Sequence, residues 1–80
     1  MKIPGCPVCF QPVDEKLFRD DGVEVMCREC GHFMLGNELA ARLSCFMFDT
    51  RAAHQRLKER RQHDPVPVLG VGDEDLLFRR

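Results

Sequence analysis

Four of the five cysteines in the sequence occur in two short motifs whose spacing suits a metal ion. The motifs are CPVC at 6–9 and CREC at 27–30, and seventeen residues separate them. Two residues between the cysteines of a pair let both sulfurs reach one ion, and two such pairs complete a tetrahedron of thiolates. The spacing therefore predicts a site for one zinc ion. Its predicted ligands are Cys6, Cys9, Cys27 and Cys30.

The predicted ion is structural rather than catalytic, because four thiolates leave no coordination position open for water. Iron in a rubredoxin-like site would use the same four ligands, and the sequence does not separate the two metals. A redox-active pair is a third interpretation, but it requires a strand–helix–strand context that this segment lacks. His32 follows the second motif closely, and we interpret it as an exposed strand residue outside the ligand set.

The size of the chain makes such a metal site useful. It has 80 residues, with six Phe and no Trp or Tyr, which is near the lower limit for a core that is stable alone. The N-terminus has no apolar run of a signal peptide, and no later segment approaches the roughly 18 apolar residues of a membrane helix. We therefore expect a cytoplasmic protein, whose reduced cysteines bind metal instead of forming disulfides.

The residues between the two motifs predict a β-hairpin. The alternating stretches VDEKLF (13–18) and VEVMC (23–27) flank RDDG (19–22), a turn signal that would return the second motif to the first. HFML (32–35) favours a third short strand.

A helical periodicity follows. Asn37 is a suitable N-cap, and Asp64-Pro65 ends the pattern, so we predict one long amphipathic helix over 37–63. Cys45 lies on its apolar side and should be a buried free thiol. The remaining residues, 64–80, predict an extended arm with a short terminal turn. The apolar positions recur at spacings of four and three: Leu39, Leu43, Phe46, Thr50, Ala53 and Leu57.

The arrangement CPVC…DDG…CRECGHF followed by a helix resembles the zinc ribbon family, and most of all its small bacterial modules. The resemblance covers about residues 3–36. It implies a small metal-stapled α+β fold, with a rubredoxin-like four-cysteine zinc ribbon of two or three short antiparallel strands in segment 1–36. The helix 37–63 and the arm 64–80 would follow it. Zinc ribbons occur in transcription factors, RNA polymerase subunits and ribosomal proteins, so the resemblance implies a role in nucleic-acid machinery.

The predicted hairpin tip offers one sharper hypothesis. In transcript-cleavage elongation factors, two adjacent acidic residues at a zinc-ribbon tip hold a metal in the polymerase active site. Asp20 and Asp21 occupy the predicted tip here. The alternative is that Asp-Asp-Gly is simply favourable turn chemistry, and the short spacing to Cys27 favours that alternative.

Two surfaces are candidates for partners. A basic stretch on the predicted helix could neutralise nucleic-acid phosphates, or it could be a solvated helix face. An apolar stripe runs past the length that a small ribbon can cover, and so could bind a protein partner or a second copy of the chain. The basic residues are Arg51, Arg56, Lys58, Arg60 and Arg61. The apolar residues are Leu39, Leu43, Phe46, Ala53 and Leu57.

No Ser–His–Asp, paired-carboxylate or phosphate-loop pattern is present, so we predict that the protein is not an enzyme and has no small-molecule substrate. The sequence indicates a structural-zinc binding module that contacts nucleic acid or nucleic-acid machinery. The alternative is a protein–protein adaptor or homodimer without nucleic-acid contact.

Overall fold

The computed structural model describes residues 5–79, so the first four residues of segment 1–36 and Arg80 of the arm lie outside the described residues. Two small sheets and two helices make up this part of the chain. The elements in chain order are β1 (Val13–Arg19), β2 (Gly22–Cys27), β3 (Gly31–Gly36), α1 (Asn37–Arg42), β4 (Phe46–Phe48), α2 (Thr50–Arg61), β5 (Val68–Leu69), a 3-10 helix (Val71–Leu76) and β6 (Leu77–Arg79).

The predicted hairpin and third strand are confirmed, because β1, β2 and β3 form an antiparallel meander. Arg19 pairs with Gly22, which leaves a two-residue turn, Asp20-Asp21. Gly22 serves the sheet rather than the turn: it begins β2, and a Cβ atom there would collide with the backbone carbonyl oxygen of Leu35 in β3. A glycine is therefore needed at this position, where the β2 backbone passes close to β3.

The prediction of one long helix over 37–63 is wrong. The chain leaves α1 at Arg42, forms β4, and enters α2 at Thr50. Strand β4 is aromatic at both ends and pairs in antiparallel fashion with β6, a strand about thirty residues later in the sequence. Asp49 then caps α2, its side chain accepting a hydrogen bond of 3.2 Å from the N–H of Ala52.

Two smaller expectations about this region also fail. Gly36, not Asn37, is the N-cap of α1, and the Asn37 side chain instead donates a 2.6 Å hydrogen bond to the carbonyl of Asp20. Cys45 is exposed rather than buried, because it lies in the turn between α1 and β4 instead of on a helix face.

The extended arm over 64–80 is also wrong, since this tail folds back onto the domain. Strand β5 joins the edge of the main sheet parallel to β3, giving the order β1-β2-β3-β5. Pro67, Leu69 and Leu76 of the tail are buried. The tail therefore completes the core. It covers, within the same chain, the apolar surface that was expected from the sequence to be open to a partner.

A buried carboxylate fixes the tail to α2. Asp73 is only 3% exposed, yet it accepts hydrogen bonds from Arg60 at 2.6 and 2.8 Å, Arg56 at 3.0 Å and the N–H of Gly70 at 2.9 Å. Burial acts to raise the pKa of Asp73, but the hydrogen bonds from Arg60, Gly70 and Arg56 outweigh it and lower that pKa. Asp75 binds Arg56 from the surface through two 2.8 Å bonds. We call Arg56, Arg60, Asp73 and Asp75 the tail clamp.

One hydrophobic core joins the sheet, both helices and the tail. It also contains three of the four cysteines of the two motifs, so the cysteine-containing segment and the helical segment are parts of one packed unit. Its largest fully buried side chains include Phe33, Phe48, Leu35, Leu39, Leu57 and Leu69.

Candidate metal centre

The two cysteine motifs bring their four sulfurs together as predicted. All four Sγ atoms lie within 4.8 Å of one another, and two close contacts join one motif to the other. Cys6 and Cys30 are 3.6 Å apart, and Cys9 and Cys27 are 3.5 Å apart. A tetrahedron with metal–sulfur bonds of about 2.3 Å has sulfur–sulfur edges of about 3.8 Å. The cluster is thus close to the size that one zinc or iron ion requires, and too open for disulfides, which need about 2.05 Å.

The backbone of each motif turns its amide groups towards the sulfurs. The N–H of Val8 lies 3.4 Å from Cys6 Sγ, and the N–H of Cys30 lies 3.5 Å from Cys27 Sγ. Hydrogen bonds to sulfur compensate the negative charge of a thiolate. The backbone of the motifs therefore favours the thiolate form of these sulfurs, which is the form that binds metal.

Both motifs end in the same left-handed backbone conformation, although their sequences differ at that point. Gly31 has φ of 86° and Phe10 has φ of 64°. A glycine adopts this conformation at little cost, whereas a phenylalanine does so at about 1–2 kcal/mol. The first motif therefore holds Phe10 in a strained conformation, with its side chain about half exposed.

The pKa shifts of Cys6, Cys9 and Cys30 indicate why the site suits a cation. The hydrogen bond with Cys30 lowers the pKa of Cys6 to about 5, while the same contact, together with burial, raises the pKa of Cys30. Burial is also the main reason that the pKa of Cys9 rises to about 11. Four negative sulfurs this close together repel one another unless a positive charge compensates them. A divalent metal ion supplies that charge, so the donor set fits zinc.

Helix α2 contacts both motifs through side chains on one face. Thr50 Oγ1 donates a 2.6 Å hydrogen bond to the carbonyl of Val8 in the first motif. Arg61 Nη2 donates to the carbonyl of Cys30 in the second motif at 3.0 Å, and to the carbonyl of His32, two residues later, at 3.1 Å. Between these two anchors, His54 Nε2 lies 2.9 Å from Cys30 Sγ. The helix is thus part of the site's surroundings.

Sequence reasoning missed His54 and Arg61 as neighbours of the cysteines. No local motif connects them, because the contacts depend on how α2 packs against a turn more than twenty residues earlier. The only available signal was their position on the buried side of the helix, where Thr50, His54, Leu57 and Arg61 recur at spacings of four and three.

His32 lies outside the cluster, in β3, and is half-buried rather than exposed. Its Nε2 atom contacts a carboxylate oxygen of Glu24 on the neighbouring strand. Arg19 binds the other oxygen at 2.7 Å. The hydrogen bond from Arg19, and to a smaller extent the one with His32, lowers the pKa of Glu24.

The predicted basic stretch divides into two groups. Arg56 and Arg60 belong to the tail clamp, and Arg61 is bonded to backbone carbonyls near the cluster. Arg51 and Lys58 are exposed and lie along a shallow surface depression of about 540 Å³, which Thr50, His54 and Gln55 also line. Only these two of the five cations face water without a described ion pair.

The prediction that the apolar stripe forms an interaction surface is wrong. Leu39, Ala53 and Leu57 are each 0% exposed and belong to the core. Leu43 and Phe46 are half-buried, and Phe46 also has the Arg79 guanidinium over its ring at 5.7 Å. These residues are used within the chain because the break in the predicted helix and the returning tail cover them.

The most exposed large apolar residue in the described part of the chain is elsewhere, near the tip of the β1–β2 hairpin. Phe18 is 76% exposed, more than Val71 at 57% or Phe78 at 50%. Asp20 and Asp21 follow it, exposed in the turn. The hairpin tip therefore combines an aromatic side chain with acidic neighbours.

In comparisons with known proteins, no family model, no curated protein and no solved structure matches the chain. The four-cysteine cluster is compatible with a zinc-binding module. The link to zinc ribbons stays a resemblance of residues 3–36. Within residues 5–79, no helix is long and apolar enough to cross a membrane.

Proposed function

We propose that this chain is a non-enzymatic accessory module, held in its fold by one structural zinc ion, that works by docking on a protein of the nucleic-acid machinery. The observation that carries the metal assignment is the convergence of four cysteine sulfurs within 4.8 Å. A complete set of four thiolates gives zinc its preferred tetrahedral site and leaves no position for a substrate or a reactive water. The centre therefore supplies stability rather than chemistry.

The magnitude of metal binding supports a structural role. A domain of 80 residues has a net stability of about 4–12 kcal/mol. Zinc bound by four thiolates contributes on the order of 10 kcal/mol, which is comparable with that whole value. Loss of the metal should therefore unfold the domain.

Two cysteine variants test this role with a matched control. Cys27→Ser removes a buried member of the cluster, whereas Cys45→Ser removes an exposed cysteine outside it. We expect the first variant to lose its bound zinc and its dispersed amide NMR spectrum, and the second to keep both. A Cys27→Ser chain that stays folded and zinc-free would contradict the structural role.

The hairpin tip is the surface that best supports docking on a protein. Phe18 is 76% exposed on a strand whose pairing with β2 ends at the adjacent residue, Arg19. Burial of one such aromatic side chain in a partner's pocket contributes about 2 kcal/mol, which is typical of an interface anchor. The hairpin begins beside the first cysteine motif and ends in the second, so the metal would hold its base rigid.

Position-specific crosslinking tests this surface. A photoreactive phenylalanine at position 18 should crosslink one protein in the native cells, and the same residue at position 71 should not. Val71 is a suitable control because it is also apolar and exposed. The same product from both positions, or none from position 18, would contradict docking through the hairpin tip. A product that contains two copies of this chain would show that the partner is a second copy, so that the protein is a homodimer.

Direct contact with nucleic acid is the second candidate, favoured by the exposed pair Arg51 and Lys58 beside the depression on α2. Two phosphate contacts predict a slope of log affinity against log salt of about −1.8 on duplex DNA. The full basic stretch of five cations would give about −4.5. A titration over a range of salt concentrations therefore separates this narrow surface from the broader one that the sequence predicts.

A further inference from the structure

His54 is placed at the cysteine cluster by bonds that do not involve its own ring. Thr50, one turn before it, is bonded to the first motif, and Arg61, two turns after it, is bonded to the second. Ala53 and Leu57 on the same side of α2 are both 0% exposed. The helix is therefore anchored on both sides of His54, and its ring is directed at Cys30 by the packing of the whole element.

The chemistry of a metal-bound cysteine decides the direction of the hydrogen bond. A thiolate has no proton to give, so in the metal-bound centre the 2.9 Å contact must be an Nε2–H group that donates to the Cys30 sulfur. The Nε2 atom of His54 therefore carries a hydrogen in the metal-bound centre. Such an N–H group withdraws electron density from the sulfur.

The four sulfurs obtain their donors in two ways. Cys6, Cys9 and Cys27 receive backbone N–H groups, from Val8, Gln11 and Cys30 in that order. Cys30 is bonded instead to a side chain from another element. Three donors thus belong to the backbone in or directly after the two motifs, and the fourth depends on the docking of α2.

We propose that His54 is a positioning residue of the metal centre, which donates a hydrogen bond to the Cys30 thiolate and lowers the reactivity of that sulfur. The proposal rests on the metal site of the proposed function. A thiolate that shares its charge with a donor is a poorer nucleophile towards electrophiles and oxidants. Loss of the donor should make Cys30 the most reactive sulfur of the centre, and should weaken metal binding about tenfold.

Cobalt(II) is the probe for this inference, because its bond to sulfur gives a charge-transfer band in the near ultraviolet. In the full chain loaded with one cobalt ion, His54→Leu should move this band to lower energy, since the thiolate becomes richer in electrons. His54→Gln keeps an N–H donor on a flexible side chain and should restore part of the shift. Gln55→Ala changes the exposed residue next to His54 on α2, whose side chain donates to Glu59 and not to the cluster, and should leave the band in place.

Alkylation gives a second readout that a merely structural role would not reproduce. Under limiting iodoacetamide, peptide mapping of the zinc-loaded His54→Leu chain should find Cys30 modified first, and about tenfold faster than in the unaltered chain. An unshifted cobalt band together with an unchanged order of alkylation would overturn the proposal. If the unaltered chain binds no metal, the proposed function fails instead, so the two failures are distinguishable.

Discussion

Replacement of Asp73 by asparagine should destabilise the protein strongly, because this side chain is the buried centre of the tail clamp. It is 3% exposed and accepts three hydrogen bonds from the guanidinium groups of Arg56 and Arg60, the shortest of them 2.6 Å. Removal of one partner from a buried ion pair costs about 3–5 kcal/mol. The arginine side chains are 29% and 41% exposed, so water partly compensates them. We therefore expect a loss of about 2–3 kcal/mol.

Urea denaturation of the zinc-loaded chain, followed by circular dichroism, is the suitable assay, because urea leaves ion pairs unscreened. With a urea dependence near 1 kcal/mol/M for a domain of this size, Asp73→Asn should lower the midpoint by about 2–3 M. Asp75→Asn is the matched control. Asp75 binds the same Arg56 but is exposed, so its midpoint should stay close to that of the unaltered chain. Equal shifts for the two variants would refute the role assigned to burial.

The same pair of variants predicts a pH dependence. The folded-state pKa of Asp73 is lowered, so its contribution is fully present above the usual aspartate pKa of about 3.9 and is lost as the pH falls through the lowered value. The difference in unfolding free energy between the unaltered chain and Asp73→Asn should be constant from pH 7 to about pH 5, and should shrink in stronger acid. A difference that grows on acidification would contradict this sign.

Substitutions at three further positions test individual features, each by urea denaturation of the zinc-loaded chain. Gly22→Ala should cost about 2–3 kcal/mol, because its Cβ collides with the carbonyl of Leu35; a neutral result would show that β2 and β3 can separate without loss. Phe10→Asn should be about 1 kcal/mol more stable than Phe10→Val, since both lose the ring but asparagine tolerates positive φ, and equal stabilities would remove the inferred strain. Thr50→Val should cost about 1 kcal/mol by leaving the carbonyl of buried Val8 without its donor, whereas Thr50→Ser should retain most of that stability.

The cysteine spacing and the hairpin could be read from the sequence because both depend on neighbours in the chain. Two residues between paired cysteines and a turn signal between two alternating stretches are local patterns, and the structure contains both the cluster and the meander. Their physical causes, the reach of a side chain and the geometry of a turn, act over a few residues.

The helix and the tail could not be read in this way because long-range pairing decides them. The apolar spacing from Leu39 to Leu57 is helical throughout, but β4 forms in its middle because β6 supplies a partner strand from the end of the chain. The cap at Asp49 was a local sign of a new helix start, although it is weaker than an uninterrupted periodicity. The pairing of β4 with β6 therefore outweighed the helical spacing of the apolar residues, which fits one long helix and two shorter helices equally well.

The same limit applies to the surroundings of the metal centre. The four cysteines could be predicted as ligands, but the contact from His54 exists only because α2 packs across both motifs. The basic stretch was likewise read as one surface. In the structure, Arg56, Arg60 and Arg61 use their charge and donors within the chain, because the tail brings Asp73 to them and the second motif brings its carbonyls.

The most direct test of the account is the metal content of the purified chain. It is measured by inductively coupled plasma mass spectrometry, together with the concentrations of protein and of free thiols. The account predicts one zinc per chain, released when the four cluster cysteines are titrated and retained when only Cys45 has reacted. A folded chain that contains no metal, or that contains iron in place of zinc, would contradict the central claim.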